Sequence, residues 1–338
     1  MSRNLLSLSL TATLMSGAAF ADVPNVAVDI APVHSLVARV MDGVGAPDLI
    51  IQSGASPHEY SLRPSEASSL QNADLVFWIG EDLTPWLEDT IETLAPDASV
   101  TALLESEGTI ELEFRENALF EAHDHDDEDH DDHAEEGDHD DHGEEEDHDD
   151  HADDDHNEED GHEGHDHGAH DPHAWLSPRN AANWLNVIAS QLSAADPENA
   201  GTYFANAAAG LAEIEELMVE VNTTLDHVRG GQFVVFHDAY QYFETDFDFP
   251  ASGAISIGDA SDPSPSRITE IQARISDEGI TCVLSEPQFN AGLVATVLDG
   301  SEARTGVIDP LGSDLDLEST LYPLLITNMA AALVECLD

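Results

Sequence analysis

The 338 residues carry 71 Asp and Glu against nine basic residues, every one an Arg, for a formal net charge of −62 with the 18 histidines neutral. So acidic a chain repels a phosphate backbone, which argues against nucleic acid as a partner and in favour of cations. Apart from a leader and one low-complexity run, roughly 270 residues remain, enough for two domains of ordinary size.

Residues 1–21 read as a secretory signal peptide. Arg3 supplies the positive start, residues 5–15 the apolar stretch and Ala19-Phe20-Ala21 the small-x-small cleavage site. The apolar stretch is too short for a permanent anchor, and no Cys near the cleavage site offers a lipid-attachment point. The expected location is therefore the periplasm of a bacterium with two membranes.

Short β-rich segments then alternate with helical patterns: strands over 26–30, 49–51, 75–79 and, more weakly, 99–102, with helices beginning near Pro32, Pro64 and Pro85, where proline suits the first turn. Such alternation predicts βα units and a parallel sheet.

A run follows that no core can use. From His123 to His170 stand 13 histidines (His123, His125, His130, His133, His139, His142, His148, His151, His156, His162, His165, His167 and His170) among 26 carboxylates, without Lys, Arg or any bulky apolar side chain. This composition predicts a disordered loop over 121–170. Carboxylates alone would only solvate. Histidines at this density point to metal, because imidazole suits zinc, copper and nickel, and they form many weak, exchangeable sites.

Beyond the run, 178–193 reads as a helix with Trp184, Leu185, Ile188 and Leu192 on one side. Next comes a long periodic segment over 197–228, with an apolar stripe of Phe204, Leu211, Ile214, Met218, Val221, Leu225 and Val228 that reads as packing. At 1.5 Å per residue it would form a rod about 45 Å long, closed by Gly230-Gly231. Alternation then resumes: a strand over 233–236, a helix over 264–277, a strand over 282–284, a helix from Asn290, a strand over 306–308 and a last helix over 318–337. The layout predicted is α/β: an N-terminal lobe over 22–195, a rigid linking helix over 196–229 and a C-terminal lobe over 230–338, each lobe with a parallel-type sheet. No Gly-rich phosphate loop is present. Cys282 and Cys336 are the only cysteines, and in an oxidising compartment such a pair is most simply a disulfide worth a few kcal/mol.

Five histidines lie outside the run: His34, His58, His173, His227 and His237. Taken singly, each is more often a surface or hydrogen-bonded residue than a ligand. Three of them stand where a strand ends or a loop enters the cleft between lobes, which is where open α/β sheets place ligands. His58 follows the second strand, His237 follows Phe233-Val234-Val235-Phe236, and His173 stands where the chain returns from the run. Asp309, after Gly306-Val307-Ile308, is placed alike. Three histidines with one oxygen ligand or a water make a tetrahedral zinc site.

The segments Gly54-Ala55-Ser56-Pro57-His58-Glu59-Tyr60, Asp171-Pro172-His173-Ala174-Trp175, Val234-Val235-Phe236-His237-Asp238-Ala239-Tyr240, Asp262-Pro263-Ser264-Pro265-Ser266, Leu284-Ser285-Glu286-Pro287-Gln288-Phe289 and Ile308-Asp309-Pro310-Leu311-Gly312 resemble, in order and over nearly all of the mature chain, those of the periplasmic zinc-binding receptors of ABC importers, the ZnuA family. The resemblance implies two α/β lobes joined by a rigid helix with small lobe movements, and Zn²⁺ held in the cleft by His58, His173 and His237. It also implies a His-rich acidic loop at this place, and delivery by a monomer to an inner-membrane permease driven by a cytoplasmic ATPase. Manganese and iron relatives typically carry Glu at the third position; His237 gives the softer set that suits zinc. Some zinc members have a carboxylate just before the first histidine, where this chain has Pro57, so the fourth ligand stands open among Asp309, a water and Glu59. The family assigns no ligand role to His34. His227, near the end of the rod, reads as structural, and Trp175, Trp184 and Tyr240 as packing around the metal. The alternatives are a periplasmic zinc buffer and a zinc hydrolase with Glu59 or Asp309 as base, although nothing marks an organic substrate pocket.

Overall fold

Two four-stranded parallel sheets, one in each half of the chain, carry the fold of the computed structural model, which describes residues 23–115, 170–256, 264–288, 291–298 and 300–338. The leader, the histidines of the run other than His170, and Asp262, Pro263 and Phe289 lie outside the described residues.

The N-terminal half runs β1 (Val26–Val28), α1 (Ala31–Val40), β2 (Asp48–Leu49), α2 (Pro64–Gln71), β3 (Leu75–Trp78), α3 (Pro85–Leu94) and β4 (Ser99–Ala102), in sheet order β2-β1-β3-β4. Val26 sits opposite Leu75 and Leu75 opposite Ser99. Proline opens α1, α2 and α3, as the sequence suggests, because its missing N–H is one that a first turn leaves without a partner. The strand expected over 26–30 stops at Val28 because the chain turns at Asp29. That carboxylate accepts the Ile30 and Ile79 N–H groups, both at 2.7 Å, and so joins the carboxyl ends of β1 and β3.

After the run come a 3₁₀ turn (Ala174–Leu176), α4 (Pro178–Ala195) and α5 (Ala200–Leu225), which closes in a second 3₁₀ turn (Asp226–Val228). Ser177 caps α4 by accepting the Asn180 N–H at 3.1 Å. α5 has 26 residues, about 39 Å at 1.5 Å per residue, shorter than the rod predicted. Ile214, Val221, Leu225 and Val228 of the predicted stripe are buried, but at the start of the helix the buried face is rotated: Phe204 is half-exposed, while Tyr203 is buried with its hydroxyl on Asp196 at 2.9 Å. Close packing of α5 on α4 sets this rotation. A Cβ at Gly210 would lie 2.9 Å from a Leu185 methyl, so the glycine face is the one that meets α4.

The C-terminal half runs β5 (Phe233–His237), α6 (Gln241–Phe247), β6 (Ala254–Ser256), α7 (Pro265–Glu278), β7 (Cys282–Ser285), α8 (Ala291–Val297), β8 (Arg304–Val307) and α9 (Leu321–Leu337), in sheet order β6-β5-β7-β8. α6 and β6 have no counterpart in the predicted elements; at seven and three residues they are too short to display a period. β8 begins two residues earlier than expected, at the sheet edge, where little burial marks its limits. One apolar cluster passes through both halves, taking in Val28, Trp175, Leu217, Leu284 and Tyr322. α9 packs on α5 and α1, with the Tyr322 N–H on the Ser35 hydroxyl at 3.0 Å. The Cys282–Cys336 disulfide ties β7 to α9. Among the described residues no helix is long and apolar enough to cross a membrane.

Burial pushes the Asp29 carboxyl up to about 7, against the pull of its two amide donors. A folded value above the unfolded one means that ionisation costs stability as pH rises from about 4 to about 7. Asp29→Asn leaves one amide without an acceptor and should cost about 1–3 kcal/mol. Because the variant lacks the titration, the gap in urea midpoint should narrow between pH 5 and pH 8; a constant gap would show that Asp29 does not titrate there.

Candidate metal centre

Each half delivers histidine to one place by a different local device. His58 stands on the loop between β2 and α2. Trp86 Nε1–H donates to the Pro57 carbonyl at 2.8 Å, and Tyr60 donates to Glu66 at 2.9 Å while its ring lies 6.0 Å from that of Trp86. His173 opens the first 3₁₀ turn. Its backbone N–H reaches Asp171 Oδ1 at 3.0 Å and its ring Nδ1 lies 2.7 Å from the same oxygen. His237 is the last residue of β5, buried on both sides by neighbouring strands, and its Nδ1 lies 3.1 Å from Glu286 Oε1. Glu286 stands one residue beyond β7, the strand next to β5, and is itself bonded by Gln288.

These devices bring one ligand atom from each of His58, His173 and His237 within 4.8 Å of one another. The ring centroids are 5.7 Å apart for His58 and His173, 6.2 Å for His58 and His237, and 4.9 Å for His173 and His237. His173 and His237 are buried and His58 is half-buried. With Nδ1–H donated to a carboxylate, the tautomer of His173 and of His237 places the lone pair on Nε2, the nitrogen a metal would take. Pro57, Trp175, Pro310 and Leu311 help to line a cavity of about 20 Å³ beside the three rings. A single water needs about 10–15 Å³ on such a measure, so the space suits an ion with one water and not an organic substrate.

Other residues singled out from the sequence are placed elsewhere. Asp309 is not in the histidine group: its carboxylate accepts the N–H groups of Leu311 at 2.9 Å, Gly312 at 3.0 Å and Ser313 at 2.6 Å, and so shapes the turn whose Pro310 carbonyl holds Trp175 Nε1 at 2.8 Å. Glu59 is exposed and also outside the group. His34 is buried with Nε2 3.0 Å from the Pro47 carbonyl, and burial lowers its pKa. His227 lies exposed in the turn that ends α5. Trp175 packs 5.2 Å from the His173 ring, whereas Trp184 donates to Thr109 at 2.9 Å within the N-terminal half. Tyr240 is buried, and burial followed by the charge of Glu286 holds its hydroxyl well above the usual range. His170 pairs with Glu113 in an antiparallel bridge, its ring 3.8 Å from Asp82 and 3.7 Å from Glu111.

Asp171 and Glu286 are the residues that sequence reasoning missed. Both lie in segments that it singled out, yet no pattern tells which of 71 carboxylates meets an imidazole. Missed as well is Arg115, whose guanidinium pairs with Asp238 and Glu244 beside His237. Burial pushes Asp238 up to about 6, with the Arg115 charge opposing it.

The family profile described as "Zinc-uptake complex component A periplasmic" (ZnuA) matches residues 26–336. A "High-affinity zinc uptake system protein ZnuA" of Brucella suis biovar 1 (strain 1330) is 44% identical over 340 aligned positions, spanning 99% of each chain. The protein so named in Paracoccus denitrificans (strain Pd 1222) is 44% identical over 334, spanning 98% of each. A solved structure titled "Crystal structure of ZnuA" superposes with a TM-score of 0.68 at 20% identity, covering 92% of this chain and all of that one, a likeness of fold.

For a divalent ion held by the three imidazoles, Asp171→Asn and Glu286→Gln should each weaken binding by about 10–100-fold. Both variants should keep the metal-free melting temperature within a few degrees. Competitive titration measures the first and a thermal melt the second; undiminished affinity in both would remove the carboxylates from the site.

Proposed function

The chain belongs to the ZnuA family of periplasmic zinc-uptake components, and on that premise we propose that it captures Zn²⁺ between its two halves through His58, His173 and His237 and yields it to a membrane permease. The observation that carries this reading is the convergence of three imidazole ligand atoms within 4.8 Å. An all-nitrogen set suits zinc better than the harder ions manganese or magnesium. A water fills the fourth tetrahedral position in this reading, since Asp309 and Glu59 lie outside the group. The protein is a binding receptor of an ABC importer and not an enzyme, in keeping with the family and with a cavity of about 20 Å³.

We read 22–195 and 230–338 as the two lobes and 196–229 as their link, with 1–21 directing export to the periplasm, where the receptor acts as a monomer. The permease and its ATPase are the partners. The histidine-rich run would gather zinc weakly and feed the tight site. Neutral imidazole is the binding form, so protons compete with zinc and capture weakens as pH falls.

Competitive zinc titration with stoichiometry on the mature protein tests this reading. Changing His58, His173 and His237 together to Ala should remove one tight site and leave several weak ones. Deleting residues 121–169 should keep the tight site and lower the total. Tight binding that survives the triple substitution would overturn the cleft assignment.

A further inference from the structure

A second set of contacts between the halves lies beside the histidines and contributes no ligand. α6, in the C-terminal half, meets the two stretches of chain that flank the histidine-rich run. The Leu112 N–H donates to the Tyr242 hydroxyl at 3.0 Å, which donates in turn to the Asp171 carbonyl at 2.8 Å. Asp246 accepts from the Ser177 hydroxyl at 2.7 Å and from Arg179 Nε at 2.6 Å. Glu244 faces Arg115, with bonds of 2.8 and 3.1 Å to the two terminal nitrogens.

Arg115 differs from its neighbours in what else it holds. The same guanidinium bonds both oxygens of Asp238, the residue after His237, with Nε at 3.1 Å. The side chains of Asp238 and Glu244 are each 6% exposed and that of Arg115 is 18% exposed. Four charge-assisted bonds therefore join the halves where little water screens them. Three residues before Arg115, the Leu112 carbonyl accepts the Asp171 N–H at 2.8 Å, and Asp171 is the carboxylate on His173. One short segment, 112–115, is thus bonded to the support of His173 and to the immediate neighbour of His237.

We infer that Arg115 is a positioning residue that sets how long the metal stays in the cleft, by holding His237 at its place against His173. The inference rests on the zinc reading given above. Release requires the rings of His173 and His237, 4.9 Å apart, to separate, and that separation pulls on the Arg115 bonds. The ion enters while the fork is open and the bonds close behind it, so their loss is felt in dissociation and not in association. Lysine at this position keeps the charge but cannot bond two carboxylates through four N–H groups. Removal of the charge leaves two buried carboxylates facing each other without a cation.

The test is the zinc dissociation rate, measured by mixing the zinc-loaded full chain with excess chelator, together with the association rate and the metal-free urea midpoint. R115A should raise the dissociation rate tenfold or more with association within twofold of wild type, and R115K should give an intermediate increase of at least threefold. R179A, which breaks the Arg179–Asp246 pair on the same helix away from His237, should leave dissociation within twofold of wild type. Should R115A fail to accumulate, R115K alone decides. Dissociation from R115A or R115K at the wild-type rate, or an equal acceleration in R179A, would overturn the inference while the tight site stands. A wild-type tight site that survives loss of all three histidines would overturn the zinc reading, and this inference with it.

Discussion

The bond between a buried imidazole and a buried carboxylate, made once in each half of the chain, is what the site depends on. Asp171 holds Nδ1 of His173 at 2.7 Å and Glu286 holds Nδ1 of His237 at 3.1 Å. Each bond fixes a tautomer, and each fixes a ring against rotation about its two side-chain torsions. Without them the three rings would still lie near one another, but a buried histidine could as well present N–H as a lone pair. The strands serve this arrangement. His237 ends β5 and Glu286 stands just beyond its neighbour β7, so the parallel register that pairs Phe233 with Cys282 also delivers acid and imidazole to one level.

The framework around the site favours small motions. One apolar cluster crosses from the first sheet to the last helix, and α5 packs against both α4 and α9 along its length. Opening the cleft widely would expose part of that cluster, at about 25 cal/mol for each Å² of apolar surface. A short shear that leaves this cluster buried costs far less.

Much of this is legible in the residues alone. Prolines at helix starts, an apolar run closed by His237, and the 3.6-residue period of 200–225 all report local chemistry, and local chemistry is what a single sequence displays. The turn of α5 that puts Tyr203 inward and Phe204 outward is set instead by Gly210 meeting Leu185, a contact between residues 25 apart. α6 and β6 are fixed by what they touch and not by any period of their own. Asp309 illustrates the same limit. Its position past a strand end matches that of a ligand, yet three backbone N–H groups of its own turn take its oxygens. Arg115 stands among acidic residues at the edge of the histidine-rich run, and only the fold brings it to Asp238 and Glu244.

Charge balance links the site to the rest of the molecule. Three neutral imidazoles bring no charge to a divalent ion, and burying two positive charges without compensation is costly. In the proposed site Asp171 and Glu286 would supply two negative charges one hydrogen bond behind the imidazoles, offsetting the ion without touching it. There an ion would meet only nitrogen ligands from the protein, which suit zinc, whereas carboxylates bound to it directly would favour harder ions. The Arg115 group serves the opposite need. Asp238 and Glu244 would add two further negative charges beside His237, and the guanidinium cancels one of them while spending its hydrogen bonds on position. The acidity of the chain as a whole can then attract cations over long range, while the site itself stays close to neutral once the metal is seated.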